Sequence, residues 1–325
     1  MVQLKFDGEV FNVTSGDSVL DTLLGNDKEI PNNCRVGACQ SCLMQVTKGH
    51  VPKESQKGLK DSYKAQGYFL ACSCKPEENL EISLPDSEKV QTKATVKEIN
   101  KLTDDVIELK IQTSVPYEFF AGQYVTLWSQ DKVGRSYSLA SLPDKDNVLT
   151  FHIKLVANGV FSNWLHNELK VNDTLYVQGP AGDCFYTKGK EEQNLLLVGT
   201  GTGLAPLYGI IHDALENGHT GEIHLFHGAL NPYGLYLHDI LGKLASNYSN
   251  LFYHPCVLRR EDTMPSDINV GDISEIVLSN VPKPSGWKTF LCGDPDLVMK
   301  LRKKIFLAGC DMKEIYSDPF VSASE

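Results

Sequence analysis

Four cysteines in the first quarter of the chain, Cys34, Cys39, Cys42 and Cys72, have the spacing that most constrains chemistry. They read C-x4-C-x2-C followed by a distant fourth, the arrangement in which four thiolates hold a [2Fe–2S] cluster. Such a cluster passes one electron at a time. Three sulfurs from one tight loop and one from elsewhere can converge on a small inorganic core. Gly37 and Ala38 are small enough to let backbone N–H groups approach those sulfurs, and Arg35 and Ser41 are available as supporting contacts. Cys72-Ser73-Cys74 offers two candidates for the fourth thiolate. A four-thiolate zinc site usually shows two close pairs instead of three plus one. No secretory signal precedes the cysteines, so disulfides are not expected.

A second chemical site is Gly199-Thr200-Gly201-Thr202-Gly203-Leu204-Ala205-Pro206, which follows an apolar strand at 195–198 and opens a helix. Glycines let a backbone approach a pyrophosphate, and a helix N-terminus supplies N–H groups and the positive dipole end. It is neither a Walker loop nor G-x-G-x-x-G, because its glycines fall at every second position. A tight strand–helix turn would look the same. Upstream, Arg135-Ser136-Tyr137-Ser138 lies on an expected strand. Arginine pairs with phosphate through a charge-assisted fork, and tyrosine stacks on a flat ring. Gly159, Val160, Phe161 and Ser162 precede an expected helix at 163–169 and form another candidate anion site, although Ser162 would serve equally as a cap. Electron bookkeeping orders these sites. Nicotinamide gives two electrons as hydride, a one-electron cluster cannot take a hydride, and flavin handles both.

Three segments must position these residues. Residues 1–90 open with alternating apolar residues joined by a turn at Asp7-Gly8. A short helix at 18–24 follows, then the cysteine loop, strands at 43–47 and 80–84, and a polar linker at 85–89. The stretch 68–71 reads as a strand end. Residues 91–187 are strand-rich, with strands at 95–99, 106–112 and 124–128, punctuated by Gly and Pro as in a small antiparallel barrel. Residues 188–325 alternate strands at 195–198, 223–227, 251–253 and 289–292 with helical stretches, the pattern of a parallel α/β sheet.

The 325 residues suffice for two or three domains, and 42% hydrophobic with 22% charged residues describes a globular chain. The net charge of −10 argues against a nucleic-acid partner. Residues 1–90 hold ten basic and thirteen acidic residues, so the acidity is spread along the chain. No apolar run reaches the roughly 20 residues that span a bilayer, so no membrane partner is expected. A cytoplasmic protein is expected, with Cys184, Cys256 and Cys310 as reduced structural thiols.

With these motifs in order, the chain resembles ferredoxin–NAD(P)+ reductase-like flavoproteins with a plant-type ferredoxin domain fused at the N-terminus. The resemblance is carried by the four cysteines, Ala121-Gly122-Gln123-Tyr124, Arg135-Ser136-Tyr137-Ser138, the glycine at 159 with Ser162, and Gly179-Pro180. It continues through the run from Gly199 to Pro206, Cys292-Gly293-Asp294-Pro295 and Ser317-Asp318-Pro319-Phe320. It implies a multidomain fold: a β-grasp α+β ferredoxin domain at 1–90, an antiparallel β-barrel FAD domain at 91–187, and an α/β parallel-sheet NAD(P) domain at 188–325. It selects Cys72 over Cys74, because plant-type ferredoxins place the ligand directly after the Leu-Ala pair.

The resemblance also implies roles. Arg135 would contact the FAD pyrophosphate, Tyr137 would lie against the isoalloxazine, and Ser138 would reach its N5 edge. Gly159, Val160, Phe161 and Ser162 would hold that pyrophosphate. Gly199, Thr200, Gly201, Thr202 and Gly203 would hold the dinucleotide pyrophosphate. Cys292 would sit beside the nicotinamide, Phe320 would cover the other flavin face, and Asp318 would be the nearby acid. A buried strand-end Cys, ordinary core and a solvated charge are the plain alternatives for Cys292, Phe320 and Asp318.

The expected function is electron transfer from NAD(P)H through FAD and [2Fe–2S] to a separate acceptor protein, a terminal oxygenase in aromatic-ring dioxygenase or soluble di-iron monooxygenase systems. The alternatives are a reductase serving a deoxysugar-nucleotide dehydratase, of the CDP-6-deoxy-glucoseen reductase type, and a ferredoxin-like carrier without reductase activity. NADH is the expected donor, with NADPH a poorer one, because Gly228-Ala229-Leu230-Asn231-Pro232-Tyr233 carries no basic residue for a 2′-phosphate. Arg259-Arg260, after the next strand, weighs the other way unless it is solvated or pairs with Glu261 and Asp262.

Overall fold

The computed structural model describes residues 2–30, 32, 42–85, 91–131, 133–143, 147–261 and 264–320. Cys34 and Cys39, the loop residues Arg35, Gly37, Ala38 and Ser41, linker residues 86–89 and Asp262 lie outside them. The chain divides into two compact units, Met1–Lys89 and Val90–Glu325.

The first unit holds β1 (Gln3–Phe6), β2 (Glu9–Asn12), α1 (Val19–Leu24), β3 (Leu43–Lys48), α2 (Asp61–Ala65), β4 (Tyr68–Leu70) and β5 (Leu80–Ser83). Asp7 and Gly8 both have positive φ, 49° and 80°. That geometry matches the twist of the β1–β2 hairpin. Ser18 starts α1 by a reciprocal cap, its hydroxyl accepting from the Asp21 N–H while the Asp21 carboxylate accepts from the Ser18 N–H. The sheet runs β2-β1-β5-β3-β4, with β1 and β5 parallel and the other pairs antiparallel. Val19, Leu20 and Leu23 of α1 pack onto Leu4, Met44 and Phe69 of that sheet. This mixed sheet with a helix across it is the β-grasp arrangement expected.

The second unit begins with β6 (Thr92–Lys101), β7 (Val106–Thr113), β8 (Tyr124–Trp128), β9 (Gly134–Ser138), β10 (Val148–Lys154), α3 (Val160–Asn167) and β11 (Thr174–Ala181). The strands form an antiparallel sheet in the order β10-β7-β6-β11-β8-β9. Its edges meet where the Ala140 N–H donates to the Thr150 carbonyl at 2.9 Å, which curls the sheet into a barrel. α3 starts three residues earlier than its sequence suggests. The buried face of Phe161 and Leu165 spans one turn and draws Val160, Phe161 and Ser162 into the helix.

The remaining elements are β12 (Leu195–Thr200), α4 (Leu204–Glu216), β13 (Ile223–Ala229), α5 (His238–Asn247), β14 (Leu251–Val257), β15 (Asn269–Val270), α6 (Ile273–Asn280), β16 (Lys288–Gly293), α7 (Pro295–Leu307) and β17 (Ile315–Pro319). All pairs in the sheet β15-β14-β13-β12-β16-β17 are parallel. Leu195, Leu197, Leu225 and Phe290 pack toward one helical layer, and Leu196, Val198, Phe226 and Leu291 toward the other. Strand order reverses at β12, so the crevice beyond the carboxyl ends of β12 and β16 is where this topology binds ligands.

Candidate functional site

A cavity of about 760 Å³ opens in the second unit, within the range of cofactor sites. Its walls come from distant parts of the chain. β9 supplies Arg135, Ser136, Tyr137 and Ser138; the start of α3 supplies Gly159, Val160, Phe161 and Ser162. From the nucleotide sheet come Thr202, Asp318 and Phe320.

β9 is held against β8 with Ser138 opposite Tyr124 and Arg135 opposite Leu127. Buried Gln123 anchors the hairpin, accepting from the Phe120 N–H and donating to the Gly182 carbonyl. Arg135 donates to its neighbour Gly134 and forms no ion pair among the described residues, so its charge is available to an anion. Tyr137 stacks on Phe161 at 6.1 Å, which ties the β9 motif to the first turn of α3. Burial pushes the Tyr137 phenol well above its ordinary pKa, so it is neutral.

Gly159 caps α3 without a side-chain hydrogen bond, and the N–H groups of Val160, Phe161 and Ser162 have no backbone partner among the described residues. These are free donors at the positive end of a helix. The Ser162 hydroxyl donates to the Gly159 carbonyl and accepts from the Val156 N–H. It therefore braces the loop that aims those donors. A Cβ on Gly159 would come within 2.7 Å of that hydroxyl.

The glycine run divides its labour. β12 continues through Gly199 and Thr200, and a single 3₁₀ turn, Gly201–Gly203, leads into α4. A Cβ on Gly199 would strike Leu207, and one on Gly203 would come within 2.3 Å of the Cys292 carbonyl. Those two glycines let β12, α4 and β16 close together. Gly201 faces open space with φ 52°, and Thr202 lines the cavity. Gly203 caps α4 without a side-chain bond, the Leu204 N–H turns back to the Gly201 carbonyl, and Pro206 carries no N–H.

Ser138 is buried, and its hydroxyl donates to Asp318 Oδ2 at 3.1 Å. Burial pushes the Asp318 carboxyl up to about 6, opposed by the Ser138 hydrogen bond. Phe320 lines the cavity, and its N–H donates to the Gly293 carbonyl at 2.7 Å. Cys292 is not among the cavity-lining residues; its sulfur lies 3.6 Å from that of Cys184, and burial pushes its thiol far up.

Cys42 and Cys72 come together in the first unit. Burial pushes the Cys42 thiol up to about 11, while the adjoining Cys72 acts both ways, its backbone N–H lowering it and its thiol raising it. The 3₁₀ turn Ala71–Ser73 turns Cys74 the other way, into the core, where its thiol rises to about 12 with Ser55 beside it.

Sequence reasoning assigned no role to Tyr124, His152 or Lys154, yet all three line the cavity. Strand alternation was the available signal. Phe151 and Ile153 fill the barrel core, so His152 and Lys154 share the opposite face. Among the described residues, no helix is long and apolar enough to cross a membrane.

Residues 4–77 match the 2Fe-2S iron-sulfur cluster binding domain, 93–186 the oxidoreductase FAD-binding domain and 197–303 the oxidoreductase NAD-binding domain. A Ralstonia protein named as the ferredoxin–NAD(P)(+) reductase component of naphthalene 1,2-dioxygenase/salicylate 5-hydroxylase systems is 31% identical over 317 residues, covering 95% of each chain. The CDP-6-deoxy-L-threo-D-glycero-4-hexulose-3-dehydrase reductase of Yersinia pestis is 27% identical over 330 residues, covering 98% of each. Among solved structures, an Amycolatopsis cytochrome P450 reductase superposes with a TM-score of 0.69 at 28% identity, covering all of both chains.

Proposed function

Because the chain belongs to the ferredoxin–NAD(P)+ reductase-like flavoproteins with an N-terminal [2Fe–2S] domain, the reductase components of electron-transfer systems, we propose that its acceptor is a terminal oxygenase. The observation that carries this reading is end-to-end similarity to oxygenase reductase components, over 95% of the chain in the Ralstonia protein and 97% in that of Pseudomonas putida. The Yersinia relative keeps a dehydrase acceptor as the second reading. The cytoplasm is the proposed compartment.

When bound, nicotinamide supplies a hydride, and flavin parts its two electrons for the one-electron cluster. We assign the chain's own residues as follows. Arg135 and the free N–H groups of Val160, Phe161 and Ser162 bind the FAD pyrophosphate, with Gly159 allowing the close approach. Ser136 and Tyr137 line the flavin, and Phe320 covers its other face. Ser138 and Asp318 hold one hydrogen-bonded proton at the hydride-accepting edge. Thr200, Gly201, Thr202 and the α4 N-terminus take the dinucleotide pyrophosphate, while Gly199 and Gly203 shape that turn. Cys292 is assigned beside the nicotinamide. Cys34, Cys39, Cys42 and Cys72 hold the cluster. The boundaries 1–90, 91–187 and 188–325 are the proposed domains.

NADH is the proposed donor. Arg259 donates its N–H to the Leu230 carbonyl at 3.1 Å, so the two loops after β13 and β14 lie side by side. Arg259 and Arg260 are exposed and form no ion pair among the described residues. Exposed cations beside that loop would tolerate a 2′-phosphate.

The test uses purified holoprotein with NADH and two artificial acceptors. Wild type should reduce both ferricyanide and cytochrome c. Cys72→Ser should keep ferricyanide reduction and lose cytochrome c reduction, because the flavin still accepts hydride while the exit through the cluster is gone. Undiminished cytochrome c reduction in that variant would remove the cluster from the path. Coupled turnover with an oxygenase, compared with a sugar-nucleotide dehydrase, then separates the two acceptors.

A further inference from the structure

His152 lies on β10, is buried, and lines the cavity between the β9 motif and the start of α4. Two residues of the nucleotide sheet's layer grip its ring edge-on: Tyr208 of α4 at 5.8 Å and Tyr236, just before α5, at 5.3 Å. The Tyr236 hydroxyl meets His152 Nδ1 at 3.3 Å.

That contact sets the tautomer. Tyr236 is 3% exposed and has no other hydrogen-bond partner among the described residues, so its buried hydroxyl must donate to Nδ1 or orphan its proton. A ring nitrogen that accepts carries no proton of its own. Burial also holds His152 neutral, with its pKa down at about 4. The single ring proton therefore resides on Nε2. Nε2 has no hydrogen-bond partner among the described residues, and Thr202 and Ala205 at the start of α4 line the same cavity. The backbone around Tyr236 is also strained. Leu237, a non-glycine residue, sits at φ 59° in the left-handed region. Such strain persists where surrounding structure imposes it and concentrates at functional positions.

We propose that His152 is a dinucleotide-binding residue whose Nε2–H, fixed by Tyr236, donates to the nicotinamide-side ribose as the dinucleotide passes from the glycine turn to the flavin. This rests on the assignment of the dinucleotide to that turn. Arg135 and the α3 N-terminus already serve the flavin phosphates, whereas Thr202 and Ala205 place His152 on the nucleotide side. Because the tautomer is set from one domain and the donor lies on the other, the contact is complete only when both face the same ligand.

The experiment titrates FAD-loaded protein with NAD+ and separately with AMP, which lacks the nicotinamide half, by calorimetry. Losing one neutral hydrogen bond should weaken NAD+ binding about fivefold in His152→Phe, which keeps a flat ring. AMP binding and FAD content should stay unchanged. His152→Gln, with an amide N–H at similar reach, should recover most of the loss. Tyr236→Phe should lose part of it, because the freed ring can adopt either tautomer. In steady state the His152→Phe defect should appear in KM more than in kcat. Wild-type NAD+ affinity in His152→Phe, an equal loss for AMP, or loss of FAD would overturn the proposal. If wild type itself bound AMP but not NAD+, the assignment of the glycine turn would fail instead. If His152→Phe did not fold, an unchanged NAD+ affinity in Tyr236→Phe would equally overturn it.

Discussion

Ser138 and Asp318 stand 180 positions apart and share a hydrogen bond of 3.1 Å. One is the last residue of a barrel strand, and the other lies near the end of the last strand of the parallel sheet. A hydroxyl and a half-buried carboxyl are thereby fixed together at the cavity wall, where neither domain alone could place them.

Removing either partner should have a distinct signature. The folded Asp318 carboxyl titrates near 6, above its ordinary 3.8. Between those values the folded chain keeps a proton that the unfolded chain has released. The stabilisation is present at low pH and is lost as pH rises toward 6. Asp318→Asn should therefore melt higher than wild type above pH 6 and equally at about pH 4, measured calorimetrically. Ser138→Ala should slow flavin reduction by NADH on the order of tenfold while FAD content holds, because a hydrogen bond to a charged group is worth about 1.5–3 kcal/mol. Unchanged reduction in stopped flow would remove Ser138 from the reaction.

Arg135→Ala should weaken FAD retention by about 1.5–3 kcal/mol, the range for a charge-assisted hydrogen bond. Arg135 forms no ion pair among the described residues, so the flavin-free protein should melt at the wild-type temperature. Flavin content after gel filtration, set beside the two melting curves, checks both statements.

Cys72→Ser should lose iron and labile sulfide, and Cys74→Ala should keep them. Cys72 adjoins Cys42 whereas Cys74 is wholly buried toward Ser55. Metal content and the visible spectrum decide; a normal cluster in Cys72→Ser with loss in Cys74→Ala would reverse the choice.

Acid should unfold the second unit through its buried histidines. Burial holds His227 at about 3 and His152 and His254 at about 4. The unfolded chain takes protons below about 6.5 that the folded chain refuses, so stability falls as pH drops from 6.5 toward 3. Each fully buried histidine adds a slope of up to about 1.4 kcal/mol per pH unit in that window. Urea midpoints at pH 7 and 5 should therefore converge in His227→Asn relative to wild type.

The ratio of kcat/KM for NADH over NADPH should exceed one in wild type and rise further in Arg259→Ala/Arg260→Ala. A wild-type preference for NADPH that the double variant abolishes would assign both arginines to a 2′-phosphate.

Local pattern carried much of this protein. The cysteine spacing, the alternation in the barrel strands and the order of the motifs depend on neighbours a few residues apart, which sequence records directly. Hence the hairpin at Asp7 and Gly8, the short helix at 18–24 and the strand Tyr124–Trp128 were legible. Tertiary packing decided the rest. Which glycines serve a ligand depends on what a Cβ would hit, and Gly203 yields to the Cys292 carbonyl from 89 positions away. Cys72 and Cys74 are alike in sequence, and only the turn at Ala71–Ser73 points one toward Cys42 and the other into the core. Nothing in the sequence marks His152, and only in the folded chain does Tyr236, 84 positions later, fix its tautomer. A hydrogen bond acts over about 3 Å, and a linear chain does not reveal which of its distant groups come that close.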